Sequence, residues 1–447
     1  MPIIRVLAGS TLDDTTDSTS LTGHRGRIEI PRGGSSLRRF LAFAGPAFLI
    51  SVGYMDPGNW GTDIPGGAKY GYTLLWVVLL SSLMAMFLQT LCARLGIASG
   101  KDLAQCCREQ YPKPVSITLW IFAEIAIIAC DLAEVLGSAI ALNLLFHIPL
   151  LYGVLLTALD VLLLIGLMRF GFRKLEATIL ALVGTISACF VIELWMAKPD
   201  WHGVFLGSVT PVLHGKDQLF LAVGILGATV MPHNLYLHSA IVRTRATGTD
   251  EPSKADAIRN NTWDTMVALS IAMLVNAAIL ILAAATFHRT GQTLTDGKEL
   301  EDAYRMLTPM LGGAASLVFA IGLLAAGQSS TITGTLAGQV VMEGFQKWRI
   351  DPWKRRLASR CLAIIPAAAI VAGRSSNGPG GLIIFSQVVL SLQLPFAIFP
   401  LIAFTSSRER MGRFASNRAW TYIGYSVGVA ITCLNIVVLL QSLKMIK

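Results

Sequence analysis

Two short segments combine helix-breaking residues with side chains that bind cations. Residues 56–59 read Asp-Pro-Gly-Asn and residues 231–234 read Met-Pro-His-Asn. Asp56 offers a carboxylate, Asn59 an amide oxygen and Met231 a polarizable sulfur. A sphere that mixes oxygen with a thioether suits a borderline divalent ion such as Mn²⁺ or Fe²⁺, because Mg²⁺ and Ca²⁺ prefer oxygen alone. The alternative for Met231 is ordinary core packing.

The proline in each segment adds backbone ligands. Proline lacks an N–H and clashes with the preceding turn, so carbonyls about one turn earlier lose their helical partners. The carbonyls of Gly53 and Ala228 lie at that distance before the two prolines. Freed carbonyls need another partner, and a bound cation can be that partner.

The composition indicates that these segments lie in a membrane. Of 447 residues, 53% are hydrophobic and 14% charged, and the mean hydropathy is +0.60. Soluble domains carry about 25% charged residues, so a water-soluble enzyme or nucleic-acid-binding protein is excluded. The apolar blocks predict an all-α polytopic protein with about eleven membrane-spanning helices. The predicted spans are 40–65, 73–93, 115–145, 149–168, 175–197, 218–242, 263–287, 310–345, 357–373, 380–404 and 419–441.

The distribution of basic residues predicts the orientation. Segments on the side of the N-terminus hold 26 Lys and Arg, and those on the opposite side hold 9. By the positive-inside rule, the N-terminus is cytoplasmic and the C-terminus extracellular or periplasmic in a multi-pass protein of the cell membrane. Residues 1–38 are polar and predict a disordered cytoplasmic tail without a cleaved leader, ahead of a transmembrane domain over 39–447.

The two broken spans predict an inverted repeat. The breaks fall in the first and sixth predicted spans, five spans apart. Because five is odd, the two broken spans cross the membrane in opposite directions. Residues 40–197 and 218–404 then form two five-helix repeats, with 419–441 as an extra helix. In such transporters the substrate site lies near the midplane, between the broken helices.

The sequence resembles the natural resistance-associated macrophage protein (Nramp) family of proton-coupled divalent metal transporters, and is similar to its bacterial manganese transporters. The resemblance covers residues 38–440. It rests on the motifs at 56–59, 67–72, 131–134, 227–239 and 334–338. It implies a LeuT-like fold, import of Mn²⁺ or Fe²⁺ with H⁺, and alternating access. The implied metal ligands are Asp56, Asn59, Met231, the carbonyls of Gly53 and Ala228, and, in some states, Gln387.

A second group of residues suggests a path for protons. Asp131 and Glu134 are three residues apart and share one face of a helix. Acids inside membranes tend to mark ion paths, and His233 beside the metal site titrates in a useful range. The resemblance implies that these three residues and Arg355 and Arg356 form a polar proton route. The alternative for the two arginines is an anchor at the inner membrane surface.

Several acids have no clear assignment from sequence. Asp63 replaces the Asn that is common in the family, and it either attracts cations to an outer vestibule or is simply solvated. Glu124, Asp160 and Glu193 also fall in predicted spans, and we expect them in buried pairs or at interfacial positions. Gly53 replaces a common Ala, which keeps a backbone ligand but loosens it.

The remaining expectations concern partners. We expect no enzymatic activity and no permanent cofactor, only Mn²⁺ or Fe²⁺ and H⁺ as substrates and lipid as surroundings. The seven cysteines are expected to be free thiols. The alternative functions are transport of Mg²⁺ by a related subfamily and Na⁺-coupled transport of amino acids on the same fold. The sequence does not determine the oligomeric state.

Overall fold

A computed structural model describes most of the chain. It describes residues 28–29, 45–160, 172–246, 248, 250–348, 350–373 and 378–443, with side chains undescribed at a few of these positions. The predicted tail, residues 1–38, lies outside the described residues except at positions 28–29. Residues 161–168 of the predicted span 149–168 also lie outside the described residues.

The described residues are almost entirely helical, which confirms the predicted fold class. The helices are α1 (Pro46–Ser51), α2 (Pro57–Tyr70), α3 (Leu75–Ser99), α4 (Leu103–Gln110), α5 (Lys113–Phe146), α6 (Leu150–Leu156), α7 (Phe172–Ala197), α8 (Trp201–Val209), α9 (Gly215–Val230), α10 (Pro232–Ile241), α11 (Glu251–Ala283), α12 (Glu299–Leu311), α13 (Gly313–Gln346), α14 (Pro352–Gly373), α15 (Gly378–Ser406), α16 (Arg408–Met411) and α17 (Arg418–Ser442). The strands are β1 (Ile28–Glu29) and β2 (Arg245–Ala246), which pair in parallel.

The lengths of the helices fit a membrane-spanning protein. Nine apolar helical stretches of the described chain are long enough to cross a bilayer, and Pro46–Met55 and Leu150–Leu159 are shorter apolar helices. The span expected from residue 310 begins as α13 at Gly313, because Gly312 (φ 95°) ends α12. The helices α8 and α12 were not predicted, because neither is long enough to give a spanning signal.

Both predicted helix breaks are present. α1 passes through a 3-10 turn, Val52–Met55, and stops at Asp56, whose backbone is extended before Pro57 starts α2. α9 stops at Met231, which has φ 43° and ψ 97°, and Pro232 starts α10. A non-glycine residue in such a conformation costs about 1 to 3 kcal/mol, so the surrounding packing must hold it there.

The helices that surround the breaks fix their position. α2 packs against α9, α11 and α15, and the long helix α5 packs against α13, α14 and α15. Gly137 of α5 allows close approach to Pro57: a Cβ at this glycine would lie 2.6 Å from the Pro57 Cγ. The break in the first span is therefore pressed directly onto α5, the helix that carries Asp131 and Glu134.

Candidate metal and proton site

Asp56 and Asn59 form the first half of the site. Both are fully buried. Asp56 caps the N-terminus of α2, and its Oδ1 accepts hydrogen bonds from the Asn59 backbone N–H at 2.9 Å and from Asn59 Nδ2 at 2.7 Å. The other carboxylate oxygen, Oδ2, has no hydrogen-bond partner in the described structure. A buried acceptor without a donor is expensive, and a cation would satisfy it.

Met231 forms the second half of the site. Its side chain is fully buried, and Asn234 Nδ2 donates to its sulfur at 3.4 Å. Gly53 leaves the room for this contact, since a Cβ at that position would lie 3.4 Å from the Met231 sulfur and would collide with the Asn234 amide. Glycine at position 53 therefore does more than loosen the backbone: it lets the two breaks approach each other.

The other predicted ligands meet at the same place. Asn59 Nδ2 also donates to the Ala228 carbonyl at 3.2 Å. The Gln387 amide lies against Gly58, where a Cβ would be 2.7 Å from its Oε1, and this oxygen has no partner among the described residues. The structure thus brings all six predicted metal ligands to the two breaks.

The donor set contains a single carboxylate. Among the described residues, no group of three or more His, Cys, Asp and Glu side chains is placed to hold a metal ion. The site instead combines Asp56 with amide and carbonyl oxygens and a thioether. Such a set differs from the thiolate and imidazole sites of structural zinc.

Three of the predicted proton residues, Asp131, Glu134 and Arg356, form a buried ion-pair network. Arg356 donates to Asp131 Oδ1 and, at 2.8 Å, to Glu134 Oε2, and all three side chains are fully buried. Ser330 and Thr331 of α13 donate to the two oxygens of Glu134 at 2.6 and 3.2 Å. A buried ion pair needs such additional hydrogen bonds to offset desolvation.

Both arginines face the protein interior. The side chain of Arg356 is 0% exposed and that of Arg355 is 7% exposed. Arg355 donates to Glu124 Oε2 at 2.6 Å, and Gly338 of α13 leaves room for its guanidinium. The alternative interpretation as an anchor at the membrane surface is therefore wrong.

His233 lies at the second break, two positions after Met231. It is the second residue of α10, it is buried, and its Nδ1 has no partner among the described residues. The structure therefore places a buried imidazole directly beside the break that carries Met231.

Sequence reasoning missed part of the network. Arg360 donates to Glu134 Oε2 at 3.3 Å and to Asp160 Oδ2 at 2.5 Å, and Gln328 donates to Asp160 Oδ1 at 3.2 Å. The available signal was the spacing of Arg360, four residues after Arg356 and so on the same face of α14. Asp160 and, as shown above, Glu124 thus form the expected pairs with arginine, and both acids are partly buried.

Two other acids do not behave as expected. Asp63 is fully buried, and neither carboxylate oxygen has a hydrogen-bond partner in the described structure, so the expectation of a solvated residue is wrong. Glu193 is also buried, and neither of its oxygens has a partner among the described residues, so the expected pair is not seen in this part of the chain. Sequence could not show this, because it depends on which helices cover α2 and α7.

A chain of hydrogen bonds links the two breaks on the side of α3. His238 Nδ1 lies 2.9 Å from Gln89 Oε1, Gln89 Nε2 donates to the Tyr54 hydroxyl at 2.7 Å, and that hydroxyl donates to the Val230 carbonyl at 3.4 Å. Tyr54 and Val230 are adjacent to the two breaks. Only the tertiary structure reveals the roles of Gln89 and Tyr54.

Comparison with known proteins agrees with this geometry. A profile of the family described as natural resistance-associated macrophage protein-like (Nramp) matches residues 47–441. The divalent metal cation transporter MntH of Agrobacterium fabrum is 53% identical over 428 residues, which cover 95% of this chain and 92% of that protein. MntH of a Nostoc species is 53% identical over 419 residues, covering 93% and 94%.

Solved structures give the same assignment. The crystal structure of the Eremococcus coleocola manganese transporter, in complex with an aromatic bis-isothiourea compound, is 41% identical. It superposes with a TM-score of 0.85 over 92% of this chain and 89% of that one. The nucleobase-cation symporter Mhp1 is 12% identical with a TM-score of 0.62, and this likeness shows the shared LeuT-like fold alone. The chain belongs to the Nramp family.

Proposed function

We propose that this protein imports Mn²⁺ or Fe²⁺ together with H⁺ across the cell membrane by alternating access. The observation that carries the proposal is the contact between the two helix breaks, which bring the carboxylate of Asp56 and the thioether of Met231 to one region: Asn59 donates to the Ala228 carbonyl at 3.2 Å. The relatives named above as divalent metal cation and manganese transporters support the substrate class. Fe²⁺ is included because its ligand preferences resemble those of Mn²⁺.

The ligands we assign to the metal are Asp56, Asn59, Met231, Gln387 and the carbonyls of Gly53 and Ala228. Two observations support this set. Asp56 Oδ2 and Gln387 Oε1 are buried acceptors without donors in the described structure. Asp56 lies in the broken segment 56–59, and Gln387 contacts that segment at Gly58. One ion at the segment can therefore bind both oxygens.

The thioether provides the selectivity. Mg²⁺ gains little from a sulfur ligand and requires near-ideal octahedral oxygen geometry, whereas Mn²⁺ and Fe²⁺ accept softer ligands. Met231 therefore favours transition metals over Mg²⁺ and Ca²⁺.

Proton coupling follows from the charge of the metal. An M²⁺ ion against one carboxylate leaves excess positive charge in a low-dielectric site, which favours loss of a proton from a nearby group. His233, Asp131, Glu134, Arg355 and Arg356 are buried polar groups beside the site, and Arg356 joins Asp131 to Glu134. We propose that the released proton leaves through them as the helices rock around the site.

The topology completes the proposal. The N-terminus lies in the cytoplasm and the C-terminus outside, as the distribution of Lys and Arg indicates. Residues 1–38 precede the transport domain. The domain contains two inverted repeats, 40–197 and 218–404, followed by the extra helix near 419–441.

Transport by purified protein in vesicles tests the proposal. Mn²⁺ uptake should acidify the vesicle lumen and respond to an imposed pH gradient, and Asp56→Ala should abolish both uptake and Mn²⁺ binding measured by calorimetry. Normal transport by this variant would refute the site. Uptake that neither acidifies the lumen nor responds to pH would refute the coupling.

A further inference from the structure

The buried ion-pair network, defined here as Asp131, Glu134, Asp160, Arg356 and Arg360, does not balance its charges. Arg356 bridges Asp131 and Glu134, and Arg360 bridges Glu134 and Asp160. Three carboxylates thus share two guanidiniums. Four of the five side chains are fully buried, and Asp160 is 13% exposed. With every group ionised, the network carries one excess negative charge in the interior of the protein.

Among the described residues, the groups around the network do not cancel this excess. The adjoining pair of Glu124 and Arg355 adds one charge of each sign. The helices α13 and α15 pack against α5, but α15 contains no charged residue and the only one in α13 is Glu343. The other titratable groups near the network are His233, Asp56 and the Cys130 thiol.

An unbalanced buried charge has two ways to be compensated. One carboxyl of the network can bind a proton, or a cation can settle nearby. A divalent ion bound to Asp56 carries one excess positive charge, which equals the excess negative charge of the ionised network. The network therefore suits one proton when the metal site is empty and no proton when the metal is bound.

Asp160 is the residue that gives the network its excess negative charge. Without its charge, Asp131 and Glu134 would be matched one to one by Arg356 and Arg360. Asp160 also holds Arg360 at 2.5 Å, while Glu134 lies 3.3 Å from the same guanidinium. Arg360 is therefore shared between Asp160 and Glu134.

We infer that Asp160 is a positioning residue for proton coupling: through Arg360, its charge makes the network bind one proton that the incoming metal displaces. This inference rests on the proposed coupling of metal and proton transport. Asp160 touches neither the metal ligands nor His233 in any described contact, so its effect is electrostatic.

The test compares proton and metal movement in variants. In vesicles, the wild type should move protons with Mn²⁺. Asp160→Asn should take up Mn²⁺ with little accompanying proton flux and little response to a pH gradient, and its Mn²⁺ affinity by calorimetry should depend less on pH than that of the wild type. Asp160→Glu keeps the charge and should behave as the wild type. Gln328→Ala removes only a hydrogen bond to Asp160 and should also keep coupling.

A double variant distinguishes an electrostatic role of Asp160 from a structural one. Asp160→Asn with Arg360→Gln leaves two carboxylates and one guanidinium, so the excess negative charge and the proton coupling should return. If Asp160 had only a structural role, the double variant should instead lose still more proton coupling. Wild-type protein without coupling would refute the proposed function, whereas coupled wild type and equally coupled Asp160→Asn would refute only the role of Asp160.

Poor reconstitution of a variant need not end the test. Proton release on Mn²⁺ binding can be measured on purified protein in detergent, by calorimetry in two buffers with different ionisation enthalpies. Asp160→Asn should release fewer protons per Mn²⁺ than the wild type, and the double variant should recover the release. Equal release from all three proteins would overturn the inference.

Discussion

The side-chain nitrogen of Asn59 lies 2.7 Å from the carboxylate of Asp56, so two predicted ligands already contact each other without a metal. The Asn59 amide oxygen points the other way and accepts a hydrogen bond from Asn276 Nδ2 at 3.1 Å. Metal binding through this oxygen requires the amide to turn. The Asn276 oxygen, which has no partner in the described structure, is then available to accept from Asn59 Nδ2.

Replacement of Asn59 by Asp should make metal binding more dependent on pH. Two carboxylates in contact cannot both stay ionised in a buried site without a cation, so one takes up a proton. Mn²⁺ must displace that proton. Calorimetry of Asn59→Asp should show Mn²⁺ affinity that falls more steeply than the wild-type affinity as pH is lowered. Parallel pH profiles would contradict the contact.

Replacement of Met231 by Ala should change selectivity more than uptake. The oxygen ligands remain, so some Mn²⁺ uptake should persist, while Ca²⁺ or Mg²⁺ should enter more readily because the sulfur preference is gone. Competition of each ion against Mn²⁺ uptake measures this. Met86→Ala in α3 also truncates a buried methionine and should leave discrimination unchanged. Unaltered discrimination in Met231→Ala would remove the sulfur from the ligand set.

Replacement of Gly137 by Ala should displace the first break. The added Cβ would collide with the Pro57 ring, and overpacking of this kind costs about 1 to 3 kcal/mol. Because ligand positions tolerate little displacement, we expect Mn²⁺ transport to fall by about tenfold or more. Gly184→Ala in α7 is the matched control, since a Cβ there meets nothing within 4 Å. Equal losses in both variants would point to a general effect on folding.

Glu301 of α12, outside the apolar spans, should make stability depend on pH. Burial, with repulsion from Glu299 and Asp302, raises the pKa of Glu301 from 4.5 to about 7. The folded state then binds the proton more tightly than the unfolded state, so this residue lowers stability as pH rises through that interval.

Glu301→Gln removes this dependence. The variant should gain thermal stability over the wild type at pH 8 and lose that advantage at pH 4, as measured by unfolding in detergent. Glu409→Gln, at an exposed position, serves as the control and should show no such difference. An advantage that is the same at both pH values would show that titration of Glu301 is not its source.

The sequence by itself determined the helical membrane architecture and the two breaks. Hydropathy, proline and glycine act over a few residues, so their effects can be located without knowing the fold. The same local signals placed Asp56, Asn59 and Met231 at the breaks. The repeat arrangement then predicted that distant segments meet, and Ala228 and Asn59 do meet although 169 positions separate them.

The tertiary structure alone decided where the charges go. Arg355 and Arg356 follow the end of a predicted span, which suits a surface anchor equally well, and only packing against α5 and α13 turns them towards the protein interior. Asp160 and Arg360 are 200 positions apart, and no local pattern pairs them. Asp63 is buried because α9, α11 and α15 cover α2. Burial and ion pairing depend on contacts between distant segments, and these contacts exist only once the helices have assembled.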